Sequence, residues 1–492
     1  MKITSSHFEA FLKCPTLCWL RFTGEIPTGN AYAEWAQSQN ESYRTEAAKR
    51  LLAHLPTEEW VTAPASATLK TASWRFATAI PASITPGNRS NDKAPTTPPE
   101  KDKSYRPAAT METCLPTVER IPSAGRGQPA QFVPIHFLYR NKLTKDDKLL
   151  LAFDAFVFSE MLGRTVSSGK IIHGDDGDCA RSRPVSEVQT EKPESANPKS
   201  EMSQSLLTSA ATVNAVDEPR NGISATPDQA RPRVTKVKTA ALADEVRKRL
   251  GKIITLLASS TPPDLVLNRY CAECEFQARC RKIAVEKDDL SLLASMSAKE
   301  RQKLRSKGIF TVTQLSSTFR PRRRPKRQRD KREKYHHALK ALAIREQKTH
   351  IVGSPELTIE GTPVYLDVEG LPDRDFYYLI GVRIGNGDSA VQHSLWADTV
   401  ADEGKIWREF LALLETVEKP VLIHYGSYET TFLKAMKERH GRPPDESVAA
   451  KAIDSAINLI SVMFARIYFP TFSNGLKEIA SYLGFNWSAN SA

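Results

Sequence analysis

The stretch VYLDVEG, residues 364–370, constrains the fold of this 492-residue chain more than any other segment. Val364, Leu366 and Val368 alternate with Tyr365, Asp367 and Glu369. A strand has a side-chain period of two, so the apolar residues face a core and both acids project from the opposite face. Two neighbouring carboxylates repel at neutral pH unless a cation lies between them, although a solvated strand end also tolerates them. The residues that follow extend the pattern. FYYLIGVRI reads as a second strand and AVQHSLWA as a third. EGKIWREFLALLETV is helical, PVLIHYG is a strand and SYETTFLKAMKERHG is a helix.

The length suits two to four domains. A net charge of +12 points to a polyanionic partner, nucleic acid first, although a solvated basic surface has the same charge. No apolar run reaches the roughly 18 residues of a membrane span. The start, MKITSSHFEAFLKCP, lacks the apolar core of a signal peptide, so a cytoplasmic protein without disulfides is expected.

The expected fold class is multidomain α/β. Residues 1–288 form a first domain, with helical patterns and short loops over 1–80. QFVPIHFLY and TVSSGKIIHG read as strands on either side of a buried helix, KDDKLLLAFDAFVFSEMLG. Two segments, about 84–108 and 180–236, are too polar and Pro-rich to bury much surface and read as disordered insertions. AALADEVRKRLGKIITLLAS (240–259) is an amphipathic helix. Residues 289–345 read as a helix-hairpin-helix with a turn at Gly308–Ile309, then a basic linker. Residues 320–334 hold ten Lys/Arg in fifteen positions, and Arg322, Arg323, Arg324, Lys326 and Arg327 are candidates for phosphate contact. Packing of the hairpin and solvation of the linker are the alternatives. Residues 350–492 form the last domain.

Cys271, Cys274 and Cys280 in CAECEFQARC form a C-x2-C-x5-C cluster. Thiolates at this spacing hold one soft metal centre, zinc or iron–sulfur, once a fourth ligand is supplied. Cys14 and Cys18 in FLKCPTLCWL are candidates for it. Cys114 and Cys179 lie in or near variable-looking segments and suit that role less well.

With an early CP after SSHFEAFLK and this late cluster, the N-terminal part resembles the iron–sulfur RecB/AddB-type nucleases of the PD-(D/E)XK superfamily. That resemblance implies a [4Fe–4S] cluster on Cys14, Cys271, Cys274 and Cys280, with zinc as the alternative. It also implies an E-x-K or D-x-K strand. VPIHFLY instead carries His136 at the acid position and Leu138 at the lysine position, and Glu119 is the weak stand-in for a first acid. A DNA-binding or scaffolding module is therefore expected there rather than a nuclease.

Three strands, a helix, a strand and a helix follow the order of the ribonuclease H-like fold. The C-terminal part resembles the YprB-like ribonuclease H domain, a relative of the DEDD 3′–5′ exonucleases, and the whole chain resembles RecB-like nucleases. This implies Asp367, Glu369 and, in HYGSYETTF, Glu429 as catalytic ligands of Mg²⁺ or Mn²⁺, with His424, Tyr425 and Tyr428 as groove or packing residues. Asp454 is expected as a helix cap. The last acidic motif is expected on a helix beyond FSNGLKEIASYLGFNW, so the chain reads as a C-terminally shortened member. The expected function is metal-dependent phosphodiester hydrolysis, DNA or RNA. The alternative is an adaptor that binds nucleic acid with both nuclease sites defective.

Overall fold

The computed structural model describes residues 1–71, 73–86, 109–123, 125, 129–174, 233–320 and 335–486. Most of both expected insertions, Cys179 and the five candidate basic residues Arg322, Arg323, Arg324, Lys326 and Arg327 lie outside the described residues.

The N-terminal region is built on a seven-stranded sheet. Its strands are β1 (Lys2–Thr4), β2 (Trp60–Thr62), β3 (Phe76–Ile84), β4 (Thr110–Ile121), β5 (Gln131–Leu138), β6 (Gly169–His173) and β7 (Arg233–Val237). The order is β2-β3-β4-β5-β6-β7, with β1 parallel to the start of β4. Two expectations are corrected here. Residues 1–80 are not only helical, because β1, β2 and the start of β3 lie there. Arg233–Lys236, expected to be disordered, belong to β7 and pair with β6, since Val234 to Val237 supply a β-type segment that completes the sheet edge.

The helices are α1 (Ser5–Lys13), α2 (Pro15–Phe22), α3 (Ala31–Leu52), α4 (Lys145–Leu162), α5 (Ala243–Ala258) and α6 (Gln277–Glu286). Parallel β5 and β6 need a crossover, and α4 supplies it. A Thr144–Asp147 capping box starts α4, and Gly163, at φ 67°, ends it. Helices α1, α2, α4 and α5 share one core, in which Phe8 stacks on Phe153 at 4.6 Å. Helix α3 covers the other sheet face with Tyr43.

In the middle, α7 (Ala298–Arg305) and α8 (Val312–Ser316) stand on either side of a turn at Gly308. It packs with α9 (His337–Glu346) through Leu290, Leu293, Met296, Val312, Leu315 and Ala341.

The C-terminal region follows β8 (His350–Ile351) with β9 (Thr362–Leu371), β10 (Phe376–Ile384), β11 (Val391–Trp396), α10 (Glu403–Glu415), β12 (Pro420–His424) and α11 (Tyr428–His440). Then come α12 (Val448–Asp454), β13 (Ile457–Asn458), α13 (Leu459–Met463), β14 (Ile467–Tyr468) and α14 (Leu476–Tyr482). The main sheet runs β11-β10-β9-β12-β13, and β14 pairs with β8. Val364, Leu366 and Val368 of β9 and Ile380 and Val382 of β10 pack against Trp407 and Phe410 of α10 and Phe432 of α11. The alternation read from the sequence therefore decides which face the helices cover.

Several contacts among the described residues tie the regions together. Arg374, in the β9–β10 turn, donates to Tyr139 O at 2.7 Å and lies over the Tyr139 ring, while Asn141 Nδ2 donates to Arg374 O. The buried Lys340 of α9 donates to Thr471 Oγ1, Ser473 O and Asn474 Oδ1. No described helix is long and apolar enough to cross a membrane.

Candidate active site and thiol cluster

Strands β9 and β12 are parallel neighbours, with His424 opposite Leu366. Their carboxyl ends therefore open at the same edge. Asp367 and Glu369 project from β9 on the solvent side, as alternation requires. Glu429 enters from the first turn of α11, just past the end of β12. Gly426, at φ 115°, makes the turn into that helix. Asn458 holds the turn: its Oδ1 accepts from Gly426 N at 3.2 Å and its Nδ2 donates to Gly426 O at 2.7 Å. Gly370 is needed too. A Cβ there would stand 2.5 Å from the Tyr428 hydroxyl and 2.6 Å from Phe376 O.

The three acids share one field. Burial and then the Asp367 charge push the Glu369 carboxyl up from its ordinary value. Burial, and after it the charges of Asp367 and Glu369, do the same to Glu429. Glu429 is 5 % exposed, and its Oε2 has no hydrogen-bond partner among the described residues. His424 Nδ1, 3.8 Å away, likewise has no hydrogen-bond partner among the described residues. A buried, unpaired carboxylate oxygen costs free energy, and such a group calls for water or a cation. The donors are hard oxygens, which suit Mg²⁺ or Mn²⁺. In their present positions no three Cys, His, Asp or Glu side chains among the described residues converge on one ion.

His424, Tyr425 and Tyr428 mainly pack. His424 is buried, Tyr425 donates to Asn474 O at 2.6 Å and Tyr428 lies against Tyr377. Asp454 is not an N-cap. It ends α12 and pairs with Lys437, because Asn458 caps α13 instead.

The corresponding place in the N-terminal sheet is closed. His136 Nε2 lies 2.7 Å from Asp154 Oδ2. Asp154 Oδ1 accepts from Thr113 at 2.6 Å and Ser5 at 2.8 Å. His136, Asp154 and Thr113 are all buried. Leu138 packs beside Leu151 and Ile171. Glu119 pairs with Lys170 on β6. Sequence reasoning missed Asp154, Thr113 and Ser5, although an Asp within an otherwise apolar helix, LLLAFDAFVF, is the signal that points to such a network.

Four thiols line one cleft elsewhere. Cys14, at the α1–α2 junction, lines one cleft with Cys271, Cys274 and Cys280. Cys18 faces the core, where burial pushes its thiol up to about 12. Of the two early cysteines, only Cys14 therefore reaches the cleft. Burial also raises Cys271, Cys274 and Cys280, the last to about 11, and neighbouring thiols add to the effect. Cys114 is exposed on β4.

No curated protein matches the chain. Residues 364–492 match the family model RNase_H_2, of the RNase_H superfamily, and the C-terminal region is thus a ribonuclease H-like domain.

Proposed function

We propose that the chain is a metal-dependent nuclease of the 3′–5′ exonuclease type, with its chemistry at Asp367, Glu369 and Glu429. The observation that carries this reading is the buried Glu429, whose Oε2 lacks a hydrogen-bond partner among the described residues and whose carboxyl feels the charges of Asp367 and Glu369. Asp367 and Glu369 would hold divalent ions from β9, and Glu429 from α11. Such ions supply an activated water and charge neutralisation at the leaving oxygen. The chain's own part is to keep the carboxylates in one another's field, where burial and like charge oppose their ionisation until a cation offsets it. Asn458 and Gly426 fix the turn that does so. The basic run around Arg322–Arg327 would add affinity along the phosphate backbone without sequence preference.

In the N-terminal region the same reading assigns Cys14, Cys271, Cys274 and Cys280 to a [4Fe–4S] cluster, with zinc as the alternative. Four thiols on one cleft fit a soft centre, whose positive charge would offset the cost of ionising the buried Cys271, Cys274 and Cys280. Such a centre would clip the α1–α2 junction to α6 and the segment before it. Purified protein that is brown, with iron and labile sulfide, would support the cluster; colourless protein holding zinc would replace it.

The nuclease reading is tested with end-labelled single-stranded DNA and RNA and Mn²⁺, comparing the chain with Asp367→Ala/Glu369→Ala. Loss of cleavage in the variant is expected. Cleavage retained in the variant would move the chemistry away from β9. A second reading, an adaptor that binds nucleic acid, is favoured by the closed His136–Asp154 network and predicts binding without cleavage.

A further inference from the structure

The face of β9, β10 and β11 opposite the core carries more than the acids. Residues paired across antiparallel strands point to the same side. Glu369 pairs with Leu379, and Leu379 with Trp396. Asp367 pairs with Gly381, and Gly381 with Ser394. Tyr365 pairs with Arg383, and Arg383 with Gln392. Three rows thus run from the central strand to the sheet edge, two of them starting at the acids.

Trp396 ends the row of Glu369. It is 56 % exposed, while Leu395 beside it turns toward the core. The irregularity in β10 between Tyr377 and Leu379 frees Tyr378 from the regular alternation. Tyr378 stacks on Trp396, with ring centroids 6.2 Å apart and planes 19° from parallel. The Glu369 charge helps push the Tyr378 phenol up, after burial, so this aromatic pair lies within the field of the acids. Gly381 leaves the row between without a side chain, and the exposed Arg383 stands in the next row.

We infer that Trp396, backed by Tyr378, is a stacking platform for an unpaired base of a single-stranded nucleic acid whose end lies at Asp367 and Glu369. This rests on the nuclease reading for what occupies the acids, and deepens it by naming the strand's path. Trp396 lies two strands from Glu369, about 10 Å at ordinary strand spacing. That places the platform within reach of a nucleotide adjoining the one at the acids. The Gly381 trough gives the strand a floor, and the exposed Arg383, which donates to Gly387 O at 2.9 Å, adds positive charge along its path. An indole braced by a second ring loses little freedom on stacking, and every base offers a π-face.

The test uses the full chain carrying Asp367→Ala/Glu369→Ala, so that binding is read without cleavage. Affinity for fluorescein-labelled oligothymidylate is compared with and without Trp396→Ala. A loss of about 5- to 150-fold is expected. Trp396→Phe retains a ring and should stay close to the parent. On the same backbone with abasic positions, Trp396→Ala should change nothing further. Equal binding of oligothymidylate by all three proteins would overturn the platform. So would a change in oligomeric state without a change in strand affinity, which would make this face a contact between copies. Failure of the nuclease reading is distinguishable. A chain that never cleaves but still needs Trp396 for base-containing strands keeps the platform. A chain that cleaves at Asp367 yet ignores Trp396 loses only the platform.

Discussion

The two sheets of this chain each place polar side chains at an interior site, and they treat them in opposite ways. In the N-terminal sheet, Asp154 is buried but satisfied on both oxygens, by His136, Thr113 and Ser5. In the C-terminal sheet, Glu429 is also buried, within the field of Asp367 and Glu369, and one of its oxygens lacks a hydrogen-bond partner among the described residues. The first arrangement stabilises itself and asks for nothing more. The second is costly until a cation or water completes it. Strain of this kind persists where function maintains it, which is why the unsatisfied cluster is the better candidate for chemistry.

The largest expected difference is in activity. Removing Asp367 and Glu369 together should lower Mn²⁺-dependent cleavage by roughly a hundredfold or more, while Asp154→Asn with His136→Ala should leave it near the parent. Equal losses from both pairs, in protein that remains folded, would break the contrast between an open and a closed site.

The next effect is on stability and should run the other way round. Asp154→Ala leaves His136, Thr113 and Ser5 without their shared partner, and should cost about 3 kcal/mol or more in denaturant unfolding. A cost within about 0.5 kcal/mol, the range of ordinary surface changes, would mean the network is not what closes the N-terminal site.

The smallest effect sharpens the comparison most. Glu429→Gln removes a carboxylate whose ionisation the folded state opposes, and should stabilise the metal-free protein on the order of 1 kcal/mol. The sign with pH follows from the raised carboxyl. The folded state holds that proton more tightly than the unfolded chain. Parent stability therefore falls as pH rises from the ordinary carboxylate range through the folded value. The advantage of Glu429→Gln should be absent in acid and fully present at neutral pH. Mn²⁺ should then stabilise the parent more than the variant. Thermal unfolding across pH, with and without Mn²⁺, reads both; a variant less stable at neutral pH without metal would show that Glu429 is satisfied after all.

Much of the C-terminal region is legible in the sequence because its signals are local. Alternation in VYLDVEG fixes which side chains meet the helices, and the succession of strands and helices fixes the order of β9 to α11. The N-terminal region is harder to read. Strands β1 and β7 are short and pair with partners far along the chain, so little in their own residues marks them. Asp154 was hidden in an apolar helix, and its three partners come from α1, β4 and β5.

The sequence by itself determined the periodicity of β9, the presence of Asp367 and Glu369 on one face, and a set of cysteines with metal-ligand spacing. Only the tertiary structure decided which groups meet. It brought Glu429 to the acids through parallel pairing of β12 with β9, selected Cys14 over Cys18 for the thiol cleft, and closed His136 against Asp154. It also set Trp396 in the row of Glu369. The physical reason is one of range. A side chain's direction along a strand depends on its neighbours in sequence, whereas its charge state, partners and exposure depend on elements folded against it from far along the chain.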